Sequence, residues 1–490
     1  MKRLFTIVYL VLITLQVYTQ KRGLGYGYHS ASDLEVLSPN VGWWYNWYVK
    51  PEAAVASVYQ DYGFEFVPMT WNGSFNESLL RSWLDDHPDV KYLLAFNEPN
   101  FKEQANMTPG QVAAQWPRLE SIAEDYNLEI VGPAVNYCGN CVTENGVTYY
   151  DPFEYLDDFF EVCPDCRVDY IAVHCYMNTP SALKWYIGEF KKYGKPIWLT
   201  EFAGWESNGN IQNLQDQVEY MVEVLDYLEN DPDVFRYAWF VGRTSSGINS
   251  YPYIDILGST RGTLTPLGEV YIHMPVHDES RVIEIPALIQ AEEYNTMSGV
   301  RIQLTEDDGG FANVAYIDAG DWMEYRISVP ETMEYDIHFR FAAIYSTSLD
   351  VLVDDEVILT QDFSYTGGWQ KWNSVSSKIN LIAGEHVMKL VAKKNGFNLN
   401  WILFGDPPVS NKEFGIPEMN IYPNPCEGIF NIDSDREFKL VEIYTITGRK
   451  VASFQNSLTL DLGHLNHGMY ILIARDTDLM VISKGKLVIR

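Results

Sequence analysis

Two glutamates stand where apolar runs end: YLLAF leads into Asn97-Glu98, and PIWLT leads into Glu201. Two carboxylates presented from the ends of buried strands are what acid/base cleavage of a glycosidic bond requires. One must stay protonated to help the leaving oxygen depart. The other must stay ionised to attack the sugar carbon. A single glutamate at a strand end is ordinarily a solvated rim charge; a matched pair points to catalysis.

Such a pair needs a scaffold that gathers strand ends on one face. Eight strand-like runs occur in order: 23–28, 42–48, 64–71, 92–99, 129–135, 168–176, 196–203 and 235–242. Helical patterns lie between them at 78–87, 108–126 and 214–230, the last with apolar residues recurring every three and four positions. Asn76 and Thr108-Pro109 read as helix caps. Eight strands with helices between them over ~250 residues predict a (β/α)8 TIM barrel, whose chemistry sits at the C-terminal strand ends. Glu98 would close the fourth strand and Glu201 the seventh, both opening on one face.

The rest of the chain changes texture. From 284 to 405 short alternating strands with regular turns predict a β-sandwich (jelly roll). A linker is expected at 406–418 and a small C-terminal β-sandwich-like unit at 419–490. The catalytic barrel would occupy 21–275. Residues 1–20 read as a secretory signal peptide: Lys2 and Arg3 precede an apolar run too short for a ~20-residue membrane span. No other segment is apolar enough to span a membrane. The chain has 490 residues and a net charge of −31, from 35 Lys+Arg against 66 Asp+Glu. No basic stripe stands out, so nucleic acid is an unsuitable partner, and neutral ligands suit the surface better than anions. Trp 14, Tyr 33 and Phe 23 supply both core packing and flat rings for stacking on sugars. Cys138, Cys141, Cys163 and Cys166 form two CxxC pairs. These are disulfides or a zinc knuckle, and the exported context favours disulfides. Cys175 and Cys426 have no evident partner.

In order, GWWYNW (42–47), FEFVPMTW (64–71), LLAFNEPN (93–100), VGPAV (131–135), VDYIAVHCY (168–176), PIWLTEF (196–202) and RYAWF (236–240) resemble glycoside hydrolase family 128, the retaining endo-β-1,3-glucanases. The resemblance implies Glu98 as acid/base and Glu201 as nucleophile. Asn97 would bond a sugar 2-hydroxyl, His174 and Tyr176 would hold the nucleophile ionised, and Trp239 would floor the cleft. Trp43, Trp44, Asn46, Trp47 and Trp71 would line its glycone side. Cys175 departs from the family, which usually has Trp there; this touches a substrate contact rather than the chemistry.

IQAEEYNTMSGV (289–300), AYIDAGDWMEY (315–325), TGGWQKW (366–372) and GFNLNW (396–401) resemble carbohydrate-binding module family 6. That implies a sugar clamp of Tyr316 and Trp369 with Asn398, and a structural calcium on Gln290, Glu292 and Asn400. Trp322, Trp372 and Trp401 are expected in the core. Catalysis needs no cofactor. YPNP (422–425), IYTITGRKV (443–451), LNHGMYIL (465–472) and KLVIR resemble the sorting domain of type IX secretion. Its partner would be that export machinery.

Together these imply an extracellular or outer-surface retaining endo-β-1,3-glucanase acting on laminarin or curdlan. The alternatives are a retaining glycosidase on another β-glucan or a xylan, and a glycan-binding surface protein without catalysis.

Overall fold

Each helix of the first unit opens on a residue able to accept a backbone N–H. They are α1 (Ala31–Leu37, cap Ser30), α2 (Glu77–Asp85, cap Asn76), α3 (Pro109–Tyr126, cap Thr108), α4 (Pro152–Val162, cap Asp151), α5 (Pro180–Phe190, cap Thr179), α6 (Leu214–Asn230, cap Asn213) and α7 (Pro266–His273, cap Thr265). The computed structural model describes residues 20–490 except 206–208, 245–252, 308–310, 406–418 and short stretches of the C-terminal unit (425, 434–437, 446–449, 456–458, 464, 466–467, 476–480, 490). The signal segment, save residue 20, and the linker therefore lie outside the described residues. Among those described, no helix is long and apolar enough to cross a membrane.

The strands are β1 (Arg22–Gly25), β2 (Trp43–Tyr45), β3 (Glu65–Phe66), β4 (Met69–Thr70), β5 (Tyr92–Ala95), β6 (Glu129–Val131), a hairpin of β7 (Thr143–Glu144) and β8 (Val147–Thr148), then β9 (Ile171–Cys175), β10 (Ile197–Phe202) and β11 (Val234–Trp239). One parallel sheet runs β3-β2-β1-β11-β10-β9 and a second runs β4-β5-β6. Parallel bridges Val131–Tyr170 and Val135–Val173 link β6 to β9. The expected third strand is split into β3 and β4 by Val67 and Pro68. Proline has no N–H to donate, though its carbonyl still accepts from Leu94 N at 3.0 Å.

Side chains alternate along each strand, so the sheets have two separate cores. Trp43, Tyr45, Met69, Leu94, Ala172 and Trp198 belong to one cluster drawn from most of the strands. The helices cover the other face, where Trp44 packs on Tyr59, Phe64 and Phe66. Gly23 in β1 makes room for the first cluster: a Cβ there would lie 2.3 Å from the Trp43 ring.

Arg22 ties β1 to α6, β11 and the segment at α7. Buried, it donates to Tyr237 Oη at 2.9 Å, to the Tyr271 and Met274 carbonyls at 2.6 and 3.0 Å, and to Glu229 Oε1 at 2.9 Å. Glu229 is 5% exposed. Glu229→Ala would strand a buried guanidinium, and removing one partner of such a pair costs ~3–5 kcal/mol. Chemical denaturation should show that loss; a change below ~1 kcal/mol would mean the network is solvated in solution.

The sandwich has two sheets. One contains β12 (Ile283–Glu284), β14 (Thr296–Ser298), β17 (Trp322–Val329), β19 (Thr347–Val353), β20 (Glu356–Phe363) and β22 (Gly384–Ala392). The other contains β13 (Leu288–Gln290), β15 (Arg301–Leu304), β16 (Ala312–Ala315), β18 (Met333–Ala343), β21 (Trp372–Leu381) and β23 (Phe397–Phe404). Tyr325, Leu349 and Leu390 from the first and Ile337, Phe339 and Phe341 from the second are buried in one core. Trp322, Trp372 and Trp401 are half-buried instead. Lys389 Nζ sits 3.8 Å over the Trp322 ring, which leaves that residue at the surface of the sheet. Residues 1–404 form one compact unit and 405–490 another. The latter has a three-stranded and a four-stranded sheet around Phe430, Val441, Ile443 and Leu472. Cys138 bonds Cys141 and Cys163 bonds Cys166, so each CxxC closes on itself between β6 and β9. Cys175 and Cys426 are free and buried.

Candidate active site

Glu98 lies three residues past the end of β5, in a turn rather than on the strand. Phe96 and Glu98 adopt left-handed φ angles of 51° and 41°, a region non-glycine residues seldom enter. Such strain persists only where neighbouring structure enforces it. Here Phe101 N donates to Glu98 O at 2.9 Å and Ala105 N to Asn97 O at 3.1 Å, and Asn97 bridges to Ala134. The turn aims the Glu98 carboxyl into a cleft.

Glu201 comes from inside β10. The pairing of β10 with β9 shifts register between Leu199 and Glu201, which places Glu201 opposite His174. A bulge of this kind re-aims a side chain. The consequence is a compact triad. One ligand atom each from Glu98, His174 and Glu201 lie within 4.8 Å of one another. His174 Nδ1 is 3.0 Å from Glu98 Oε1 and 3.4 Å from Glu201 Oε2.

The two carboxylates are held differently. Glu201 Oε1 accepts from Tyr45 Oη at 2.9 Å and Trp47 Nε1 at 2.7 Å, and Glu201 Oε2 accepts from Tyr176 Oη. Glu98 Oε1 meets His174 and Asn136 Nδ2, the latter at 3.4 Å. Donors around Glu201 favour its ionised form. Burial and then the Glu201 charge push the Tyr45 and Tyr176 phenols far above their ordinary range, so both remain neutral donors. Burial disfavours the charged form of His174, but the Glu201 charge and the Glu98 hydrogen bond outweigh it and raise its pKa. A Glu–His–Glu triad also has the donor types of a cation site. Here the oxygens of Glu201 already accept from three donors, which suits a nucleophile better than a ligand.

The carboxyls open into a cavity of ≈ 720 Å³ lined by Trp47, Trp71, Tyr137, Tyr176, Trp205 and Phe240, among others. Asn97 lines it too; its Nδ2 donates to Gln104, while the buried Oδ1 has no partner. That leaves one acceptor for a hydroxyl.

Four expected contacts, Trp43, Trp44, Trp239 and Asn46, do not reach this cleft. Trp44 is fully buried on the helix-covered face against Tyr59, Phe64 and Phe66, because its side chain alternates away from Trp43 and Tyr45. Trp43 is fully buried, its Nε1 bonded to the Lys21 carbonyl at 3.0 Å. It shares a strand face with Tyr45 but lies one level deeper, and Trp47 is the ring that emerges. Trp239 is also fully buried; it packs on Phe202 and donates to the Ile254 carbonyl at 2.8 Å. The next residue, Phe240, supplies the cleft wall instead. Asn46 turns to its own loop, donating to Glu52 Oε2 at 3.0 Å and to the Lys50 carbonyl at 3.1 Å. His174 sits beneath the carboxyls and positions them rather than lining the cavity. Cys175 is buried, away from the cleft, and burial pushes its thiol up to about 12. Tyr45, Asn136 and Phe240 escaped the sequence reading. Period-two alternation with Trp47 could have flagged Tyr45; no motif marks Asn136.

On the sandwich, Tyr316 and Trp369 are 56% and 46% exposed and share a cavity with Asn398. Asn398 Nδ2 holds the Trp369 carbonyl at 2.8 Å. Nearby, Ala291 N pairs with the Asn400 carbonyl, which brings Gln290 and Glu292 alongside Asn400. Glu292 Oε2 and Asn400 Oδ1 are buried without partners, and burial pushes the Glu292 carboxyl up to about 8. Buried oxygens of this kind fit a hard cation.

Parallel strands that deliver a carboxyl pair into an aromatic cleft define a glycoside hydrolase. The chain belongs to the family described as glycosyl hydrolase catalytic core, whose sequence model matches residues 23–271. Residues 290–406 match carbohydrate binding module (family 6), and 420–490 match the secretion system C-terminal sorting domain. The protein is exported through type IX secretion to the cell exterior. Solved structures similar to it include two bacterial glucanases. One is a GH128 (subgroup II) endo-β-1,3-glucanase from Pseudomonas viridiflava: 38% identity, 53% of this chain, 99% of that one, TM-score 0.48. The other comes from Sorangium cellulosum: 40% identity, 53% and 100% coverage, TM-score 0.45. Alkali-sensitive linkage protein 1 of Schizosaccharomyces pombe is 29% identical over 262 residues, 51% of this chain. The chain spans 44% of that protein's length.

Proposed function

We propose that this protein is a retaining endo-β-1,3-glucanase. The observation that carries the mechanism is the approach of Glu98 and Glu201, with an oxygen of each within 4.8 Å. Retaining enzymes hold their carboxyls ~5–5.5 Å apart, whereas inverting ones leave ~6.5–9.5 Å for a water. Glu201 attacks the anomeric carbon while Glu98 protonates the departing oxygen. The C–O bond to the leaving sugar breaks as the ester to Glu201 forms. Glu98, now a base, takes a proton from water, whose oxygen displaces Glu201. Asn97 offers its free Oδ1 to a sugar hydroxyl, and Trp47, Trp71 and Phe240 supply apolar surface for ring faces.

The scaffold supports a (β/α)8 barrel. The isolated bridges from β6 to β9 on one side, and the succession of β3 and β4 in a single run on the other, support reading the two sheets as parts of one eight-stranded barrel around the Trp43 cluster. The β-1,3 linkage rests on the 38–40% identity to the two glucanases over their whole lengths. The sandwich would bind glucan through Tyr316, Trp369 and Asn398 and keep the enzyme on its polymer. Calcium would be held by Gln290, Glu292 and Asn400. Its role there is structural, keeping Glu292 ionised where burial alone disfavours charge.

A panel of laminarin, curdlan, carboxymethylcellulose and xylan tests linkage and mode together. We expect mixed-length oligosaccharides from laminarin and curdlan and at least tenfold less product from the others. Equal release from a β-1,4 polymer would overturn the linkage. Glucose alone would overturn endo action, and retention on curdlan without products would make the chain a binding protein.

A further inference from the structure

The clamp residues of the sandwich do not face open solvent on every side. Their cavity, ≈ 660 Å³, is lined both by Tyr316, Trp369 and Asn398 and by Gln215, Glu219 and Glu223 of α6 in the hydrolase part of the same compact unit. Val218 and Val222, also from α6, are buried at the seam. We propose that this is a composite glycan site, in which α6 supplies the second wall and Gln215 and Glu219 hydrogen-bond the hydroxyls of a neutral β-glucan stacked on Tyr316 and Trp369. The inference rests on the reading of the sandwich as a glycan binder and extends it to residues of the catalytic domain.

Three observations support it. First, Tyr316 adopts a left-handed φ of 56°, an outlier that presents an exposed ring. Second, the ring is tied to α6 through Arg301. The guanidinium carbon lies 4.3 Å from the Tyr316 centroid, and Nη1 lies 3.9 Å from Glu223 Oε1. That arrangement holds the clamp and the helix in register and leaves Arg301 covering part of the ring as a cation–π partner. Third, Gln215 and Glu219 are both exposed on the cavity side, one turn apart, with Gln215 Nε2 donating to Glu219 Oε1 at 3.1 Å. A carboxylate accepts from adjacent hydroxyls, and an amide both donates and accepts, which matches the polar edge of a sugar whose face lies on an aromatic ring. An acidic helix face by itself is ordinarily only solvated. The exposed aromatic pair across the cavity is what distinguishes this one.

The test uses the full chain carrying Glu201→Gln, so that ligand survives, with laminarihexaose titrated by calorimetry. Two binding events are expected, and Tyr316→Ala should remove one of them. Gln215→Ala with Glu219→Ala should weaken that same event about tenfold, the scale of one or two lost hydrogen bonds. The Tyr316-independent event serves as the internal reference for folding. If Tyr316→Ala removes an event that the α6 pair leaves unchanged, the composite site is overturned while the sandwich remains a glycan binder. If Tyr316→Ala changes nothing, the reading beneath it fails as well. A loss of both events in the α6 variant would place those residues in packing and also overturn the proposal.

Discussion

Glu201→Gln lowers kcat on laminarin on the order of 10⁴-fold or more, while affinity for laminarihexaose stays within about threefold. The asymmetry follows from the site. Glutamine keeps the shape of the side chain, and its carbonyl still accepts from Trp47 and Tyr45. It has no negative oxygen to form the bond to the anomeric carbon. The loss, about 5 kcal/mol of barrier at that factor, therefore falls on the transition state and spares ground-state binding. Turnover above a hundredth of wild type would remove Glu201 from the nucleophile's role. Steady-state kinetics on soluble laminarin paired with calorimetry separates the two quantities.

Glu98→Gln loses general acid catalysis, worth ~10²–10⁴-fold, and the loss depends on the leaving group. An aryl laminarioside with an acidic phenol needs no protonation, so its first step proceeds and glycosyl-enzyme accumulates as a burst. Glu98→Ala opens space on the face from which water attacks. Azide entering there should restore turnover and yield a glycosyl azide of β configuration. An α-azide, or equal loss on polysaccharide and aryl substrate, would contradict an acid/base role for Glu98. His174 stands against both carboxyls in the wild type, so the experiment also reports whether that imidazole can replace the missing acid.

Much of this architecture was legible because its signals are local. A glutamate after YLLAF or PIWLT announces a strand end. Asn76 and Thr108 announce helix starts, and both cap as expected. What stayed hidden depends on height, register or distance. Alternation places Trp43, Tyr45 and Trp47 on one face, yet nothing in GWWYNW says which of them clears the sheet. A one-residue register separates Trp239, which packs behind β11, from Phe240, which meets the cleft. Pro68 splits a strand that its apolar neighbours disguise. The bulge at β10 depends on a pairing partner remote in sequence, and it is what sets Glu201 against His174. The meeting of α6 with the sandwich clamp is equally non-local. Neither Glu219 nor Tyr316 carries any sign of the other.

The central claim is that Glu98 and Glu201 act on one anomeric carbon by double displacement. Proton NMR of the first sugars released tests it most directly. We predict that the β-anomer of the new reducing end appears first and mutarotates to the equilibrium mixture afterwards. Initial appearance of the α-anomer would show single displacement by water and contradict the account.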